Sequence, residues 1–231
     1  MKVGVVIFPG SNCDEDVFYV FSQLLQLPTV KLWHKTHDLQ NCDLIVLPGG
    51  FSYGDYLRSG AIARFSPIMQ EVVQHANQGG YVWGICNGFQ ILTESGLLPG
   101  ALLHNKSQKF ICKNTSICPV STSAPLTARL ERKAYKIPIA HGEGRYYAAD
   151  KVLDELEAND QVLFRYCNSQ GETDDYSNLN GSARNIAGVC NAQKNVFGMM
   201  PHPERAADAA LGNEDGIAIF KSLLQSLPLT V

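Results

Sequence analysis

Cys86 stands between two glycines in Gly84-Ile85-Cys86-Asn87-Gly88, where the apolar run "GYVWGIC" gives way to the helix-like "NGFQILTESG". Glycine-x-cysteine-x-glycine at a strand-to-helix junction has the spacing of a nucleophile elbow, the tight turn that lifts a serine above the sheet in many hydrolases. Glycines on both flanks remove the Cβ atoms that would clash in such a turn. A helix starting just beyond it aims backbone N–H groups and the positive end of its dipole at the sulfur, which favours the reactive thiolate. A thiolate nucleophile needs a proton-transfer partner. Among the six histidines, His34, His37, His75 and His104 occupy polar or helical contexts that read as surface or packing positions. His202 is different: in "GMMPHPERA" it is bracketed by Pro201 and Pro203, just after an apolar run. The prolines predict extended backbone there rather than a helix start. In extended backbone residues two apart point the same way, which sets Glu204 beside His202. A carboxylate in that place fixes the imidazole tautomer and stabilises its cation. The third element is "LPGGFSYGD" at 47–55, where Gly50 follows a buried strand and could present its N–H, with that of Asn87, to an oxyanion.

Each signal also has an ordinary structural reading: a core cysteine in a glycine-rich turn, a His-Pro-Glu turn, a plain strand-to-helix loop. Their joint placement is what counts. All three fall at the carboxyl ends of predicted strands, and together they compose the Cys–His–Glu form of acyl-transfer chemistry.

The elements that must position these residues are legible as alternating runs. "KVGVVIF" (2–8), "TVKLW" (29–33), "DLIVLPGG" (43–50) and "GYVWGIC" (80–86) read as buried strands of a parallel sheet covered on both faces. "DEDVFYVFSQLLQL" (14–27) and "FSPIMQEVVQHANQGG" (65–80) read as helices, the second ending at a glycine cap. From about Leu102 the texture becomes β-rich, followed by predicted strands at 161–167, 185–192 and 196–200 and a final helix at 214–227. The pattern predicts an α/β fold: a doubly wound, mostly parallel sheet with helices on both faces, of flavodoxin-like kind, in a single domain spanning 1–231.

Composition narrows the function. Of 231 residues 45% are hydrophobic and 18% charged, with a formal net charge of −3, so the chain can bury a substantial core and lacks the basic bias of a nucleic-acid binder. The apolar N-terminus is too short for a signal peptide, and no run approaches the roughly 20 residues that span a bilayer, so the expectation is a soluble, cytoplasmic chain. Seven scattered cysteines, an odd number with no CxxC, fit neither a disulfide scaffold nor a zinc site; the default for each is a small buried apolar residue. Neither a Walker loop nor a GxGxxG fingerprint occurs, so no nucleotide site is indicated on this chain.

The motifs GICNGFQ, HPE and PGG resemble those of the class I glutamine amidotransferases. The longer stretches "FPGSNCDED", "GGFSYGDYLRSGAIA", "CNGFQILTESGLLPGAL", "IAHGEGRY" and "MMPHPER" extend the likeness over nearly the whole chain. They resemble the branch of that family that feeds ammonia to a purine-biosynthetic synthetase on another chain. The resemblance implies Cys86 as nucleophile, His202 as general base and acid, Glu204 as its orienter, and the amides of Gly50 and Asn87 as oxyanion hole. It implies Gln90, His141 and Glu143 as residues facing the substrate glutamine, with no metal on this chain. It also implies a large synthetase subunit that holds ATP and magnesium and converts formylglycinamide ribonucleotide to the formylglycinamidine, together with a small accessory subunit. One departure is "NLNGS" at 178–182, where the branch leads one to expect proline in place of Leu179. The glycine-rich segment 49–65 reads as a candidate gate with two arrangements, only one of which presents Gly50 to the oxyanion. The rival classes are small cysteine hydrolases and chaperone-like proteins of similar fold, which have no need of His-Pro-Glu, and non-catalytic subunits, which have no need of all three groups. The anthranilate, carbamoyl phosphate and GMP branches of the amidotransferases remain alternatives that physical reasoning alone does not separate.

Overall fold

The computed structural model describes residues 1–227, in two compact units. In chain order the elements are β1 (Val3–Ile7), α1 (Asp14–Tyr19), β2 (Thr29–Trp33), β3 (Leu44–Leu47), α2 (Pro67–Asn77), β4 (Tyr81–Ile85), α3 (Asn87–Glu94), β5 (Ala101–Leu103), β6 (Ile111–Pro119), β7 (Tyr135–His141), β8 (Arg145–Tyr147), α4 (Asp150–Ala158), β9 (Val162–Cys167), β10 (Ile186–Cys190), β11 (Val196–Met199) and α5 (Asp215–Ser226).

The first unit comprises Met1–Leu98 and Asn195–Gly198. Its strands lie in the order β2-β1-β3-β4-β11, the flavodoxin-like arrangement that the alternating apolar runs predict. β1 pairs in parallel with both β2 and β3, and β3 in parallel with β4, Leu47 standing opposite Gly84. Every residue of β3 is buried, as a strand covered on both faces requires. Because β3 and β4 run the same way in register, the loop after Leu47 and the turn after Ile85 open at one edge of the sheet. That edge receives Gly50 and Cys86. α2 ends as a glycine cap predicts: the Gly80 N–H donates to His75 O and the Gly79 N–H to Ala76 O, with Gly79 at φ 91°. The helix predicted over 14–27 is shorter, since α1 passes at Val20 into a π-helical segment that ends at Leu24.

Among the described residues the second unit comprises Pro99–Lys194 and 199–227. It is antiparallel, with strand order β10-β9-β6-β7 and a separate β5–β8 pair. On β7, Tyr135, Ile137, Ile139 and His141 are buried while the residues between them are not, the period of two expected of a strand covered on one face. α4 was not anticipated from the sequence. Only Leu153 and Leu156 are buried on it, and so charged a helix carries a weak apolar signal. Leu179 has a local reason for not being proline: its N–H donates to Ser177 O. Asn180, next in sequence and fully buried, donates to Gly144 O at 2.8 Å and pins the "AHGEGRY" loop. Five of the cysteines are buried as expected, but Cys112 is exposed and Cys118 partly so, because β6 carries them on positions that are not fully covered.

The closest approach in the first unit is at Gly88, where an added Cβ would lie 1.9 Å from Leu47 O and 2.6 Å from Leu47 C. A backbone carbonyl cannot step aside as a flexible side chain can, so α3 sits against β3 only while position 88 has no side chain. Gly88→Ala should cost about 3 kcal/mol or more in denaturant unfolding. An unchanged midpoint would show that this helix has room to move.

Candidate active site

Cys86 occupies the corner between β4 and α3 with φ 51° and ψ −105°, a conformation L residues rarely adopt. Such backbone costs on the order of 1–3 kcal/mol and persists only where the surroundings enforce it. Here β4, buried from Val82 to Ile85, and α3, buried from Asn87 to Leu92, enforce it, and Cys86 O accepts the Gln90 N–H at 3.1 Å as the helix begins. Cys86 is 4% exposed. Asn87 holds the first helical position, where a backbone N–H has no partner inside the helix. Gly50 has φ 137°, and a Cβ there would lie 2.5 Å from Asn12 N and 2.6 Å from Gly10 O, so that only glycine fits between β3 and the loop after β1. Gln90 is buried, and its Oε1 accepts a hydrogen bond from Asn87 Nδ2 at 2.9 Å.

The segment after Gly50 is held by an unusual number of polar contacts. The Phe51 N–H donates to Gly10 O and the Tyr53 N–H to Pro9 O. Tyr53 and Asp55 both have positive φ, as does Gly54 between them. The Tyr53 hydroxyl meets His34 Nδ1 at 2.5 Å and Ser66 Oγ at 2.8 Å, which gives buried His34 a structural role. Beyond these anchors Tyr56 and Leu57 are among the most exposed apolar side chains, at 86% and 81%.

In the second unit, His202 and Glu204 are both buried and joined by a 2.6 Å contact between Nδ1 and Oε1. The pairing arises differently from the extended run expected from the prolines. His202 itself is near-extended, at φ −102° and ψ 86°, but it caps a 3-10 turn over Pro203–Ala206. Pro203 takes the first position of that turn, where its missing N–H costs nothing, and the turn curls Glu204 back onto the ring. The His202 N–H donates to Pro138 O of β7, so the strand sets the height of the imidazole. With Nδ1 facing a carboxylate, Nε2 is the nitrogen that can take up and return a proton.

His141, at the end of β7, is also buried. Asn105 Nδ2 donates to the carbonyls of His141 and Lys109, so its Oδ1 is the acceptor that faces His141 Nδ1 at 3.1 Å and the Gly144 N–H. The His141 proton therefore sits on Nδ1. Burial, with the neighbouring His202 charge second, lowers the His141 pKa to about 4. Glu143 Oε1 is 3.5 Å from His104 Nε2. Ser52 in the first unit and Asn105 in the second each hold loop hydrogen bonds and were not singled out by sequence reasoning; polar residues in loops have no periodicity to betray them.

Residues 1–215 match the family described as the CobB/CobQ-like glutamine amidotransferase domain. The chain belongs to this glutamine amidotransferase family. It is similar to phosphoribosylformylglycinamidine synthase subunit PurQ of Chlorobium chlorochromatii, 57% identical over 98% of this chain and 97% of the relative. It is likewise similar to the same subunit of Thermosynechococcus vestitus, 58% identical over 97% of this chain and 96% of that one. Among solved structures it is similar to a chain of PurLQS from Thermotoga maritima, with a TM-score of 0.86 and 44% identity over 98% of this chain and 99% of the other.

The depressed pKa of His141 makes stability depend on pH. In the unfolded chain the imidazole titrates near 6.5. Between that value and the folded value of about 4 the unfolded state binds more protons, so stability falls as pH drops through the window and levels off below it. Wild type should lose up to about 3 kcal/mol more than His141→Asn between pH 7 and pH 4 in denaturant titrations. Parallel curves would show that the folded imidazole titrates normally.

Proposed function

We propose that this chain is the glutaminase subunit of a phosphoribosylformylglycinamidine synthase, releasing ammonia from glutamine for a synthetase on a separate polypeptide. The observation that carries the proposal is the 57% identity to subunit PurQ over 98% of the chain. The likeness to the chain of PurLQS supports a large synthetase subunit and a small accessory subunit as partners. ATP and magnesium belong, in this proposal, on the synthetase, which converts formylglycinamide ribonucleotide to the formylglycinamidine. The cytoplasm is the proposed compartment; among the described residues no helix is long and apolar enough to cross a membrane.

The chemistry follows from the residues. The Cys86 thiolate adds to the side-chain amide carbon of glutamine, and the carbonyl oxygen becomes an oxyanion against the N–H groups of Gly50 and Asn87. His202, protonated at Nε2 and steadied by Glu204, gives its proton to the departing nitrogen, and ammonia leaves as the C–N bond breaks. The γ-glutamyl thioester is then attacked by water that gives its proton to His202; the C–S bond breaks, glutamate leaves and the thiolate returns. Gln90, His141 and Glu143 are proposed to face the substrate.

A diazo-ketone analogue of glutamine should add once per chain, at Cys86, by peptide mass mapping; an adduct on Cys13 or Cys42 instead would overturn the assignment. Cys86→Ala should abolish glutamine hydrolysis in a folded protein. His202→Ala should lower kcat on the order of 10⁴-fold or more, and Glu204→Gln by less, because an orienting group is partly replaceable where the base is not. Wild-type activity in Glu204→Ala would make that carboxylate structural.

Free ammonia becomes ammonium in water and ceases to be a nucleophile, so a glutaminase that serves a distant acceptor gains from being switched on by it. The segment after Gly50 is the proposed switch. Adding the synthetase and its substrates should raise kcat for glutamine more than it lowers KM, since the oxyanion contact belongs to the transition state. An isolated chain already at full turnover would rule the switch out.

A further inference from the structure

Asn87 carries two separable functional groups. Its backbone N–H belongs to the peptide that follows the nucleophile, and any substitution except proline retains it. Its side chain is 1% exposed and faces the loop rather than the solvent. Oδ1 accepts the Ser52 N–H at 3.1 Å, which fixes the orientation of the amide, because only the oxygen can accept. Nδ2 then donates to Gln90 Oε1 at 2.9 Å and, at a longer 3.4 Å, to Asp55 Oδ1. The other Asp55 oxygen receives the Ser59 hydroxyl at 3.1 Å. Ser52 is two residues beyond Gly50, and Asp55 has the left-handed φ of 51°. A single amide therefore ties both ends of a strained turn to the helix that starts at the nucleophile.

We infer that the Asn87 side chain, with the Asp55 carboxylate behind it, is a positioning element that holds the segment carrying Gly50 in register with the peptide after Cys86. The inference rests on the glutamine chemistry proposed above and adds a residue role to it. An oxyanion hole made of two N–H groups from different loops works only if the loops keep a fixed spacing, and a donor displaced from the oxyanion is worth little. β3 and β4 fix the roots of the two loops through their parallel pairing. The Asn87 amide fixes the loop beyond Gly50, where no strand reaches. It makes one hydrogen bond to the loop backbone and two to side chains in a place where it is screened from water, and buried polar groups of this kind are costly to leave half satisfied.

The test uses the chain assembled with its synthetase and glutamine as substrate. Asn87→Ala should lower kcat about 10- to 100-fold with KM within about threefold, on the scale of losing part of one oxyanion donor. Iodoacetamide should still alkylate Cys86 at the wild-type rate, since that displacement forms no oxyanion. Asn87→Asp keeps the shape and the Ser52 contact but sets a carboxylate against Asp55 and Gln90 Oε1, and should be similarly slow. Combining it with Asp55→Asn reverses donor and acceptor at that contact, the Gln90 amide can turn to donate its Nε2 to the new carboxylate, and the double variant should recover most of kcat. A purely structural amide would change the unfolding midpoint while leaving kcat per folded chain alone. Wild-type kcat in Asn87→Ala would overturn the inference, as would a double variant no faster than Asn87→Asp. Should Asn87→Ala not fold, the near-isosteric Asn87→Asp and its double variant decide the matter. A wild-type complex that releases no glutamate from glutamine would instead defeat the glutaminase reading itself, and is distinguished by that control.

Discussion

The bend at Cys86 is the constraint from which the first unit's architecture follows. A non-glycine residue at φ 51° and ψ −105° is held there against its own preference. What holds it is packing on both sides: β4 is buried from Val82 to Ile85, and α3 is buried through Leu92. Gly88 is where the two meet β3, so near to Leu47 O that a methyl group would not fit. The strain is useful because it separates the thiol from the periodicity of both elements. A cysteine within β4 would point into one face of the sheet, and one within α3 would lie along the helix; at the corner it stands over the carboxyl edge, where the helix's first N–H groups also point.

The second unit meets a different requirement with different means. A buried imidazole beside a buried carboxylate gains little net stability from the pairing, because both groups lose their hydration. The pair is nevertheless fully enclosed, with His202 anchored by Pro138 O and Glu204 carried on a one-turn helix. Such an arrangement is explained better by what it does to a proton than by what it adds to the fold. Orientation is the gain: the ring cannot rotate without breaking the 2.6 Å contact and moving the turn.

The parts of this molecule that were readable from sequence are those governed by periodicity or by a special backbone. Buried parallel strands announce themselves as apolar runs, and β1, β3 and β4 fall within the predicted stretches. The glycines at 50, 84 and 88 mark turns and close approaches because no other residue fits. Tertiary context decided the rest. The prolines around His202 predicted extended backbone, while the structure uses Pro203 to open a 3-10 turn. α4 is too charged to show its two-residue apolar stripe. The hydrogen-bonding of Asn87, Asp55 and Asn105 depends on loops approaching from distant sequence positions, and no spacing rule encodes it.

The two neighbouring histidines of the second unit illustrate how burial assigns roles that composition leaves open. Charge on either ring disfavours charge on the other, so both cannot be cationic at modest cost. His141 faces an amide oxygen at Nδ1, and its Nε2 has no hydrogen-bond partner among the described residues. Burial there disfavours a positive charge, the His202 charge adds to it, and its pKa falls to about 4. His202 faces a carboxylate at the same nitrogen, and that carboxylate offsets the charge of an imidazolium. Near neutral pH, His141 therefore stays uncharged and does not oppose the cation that the proposed reaction places on His202. The two rings have different partners: an asparagine amide beside one and a glutamate beside the other. In the chemistry proposed above, the proton goes to the ring whose second nitrogen is held by a carboxylate, and His141 is a neutral neighbour of it.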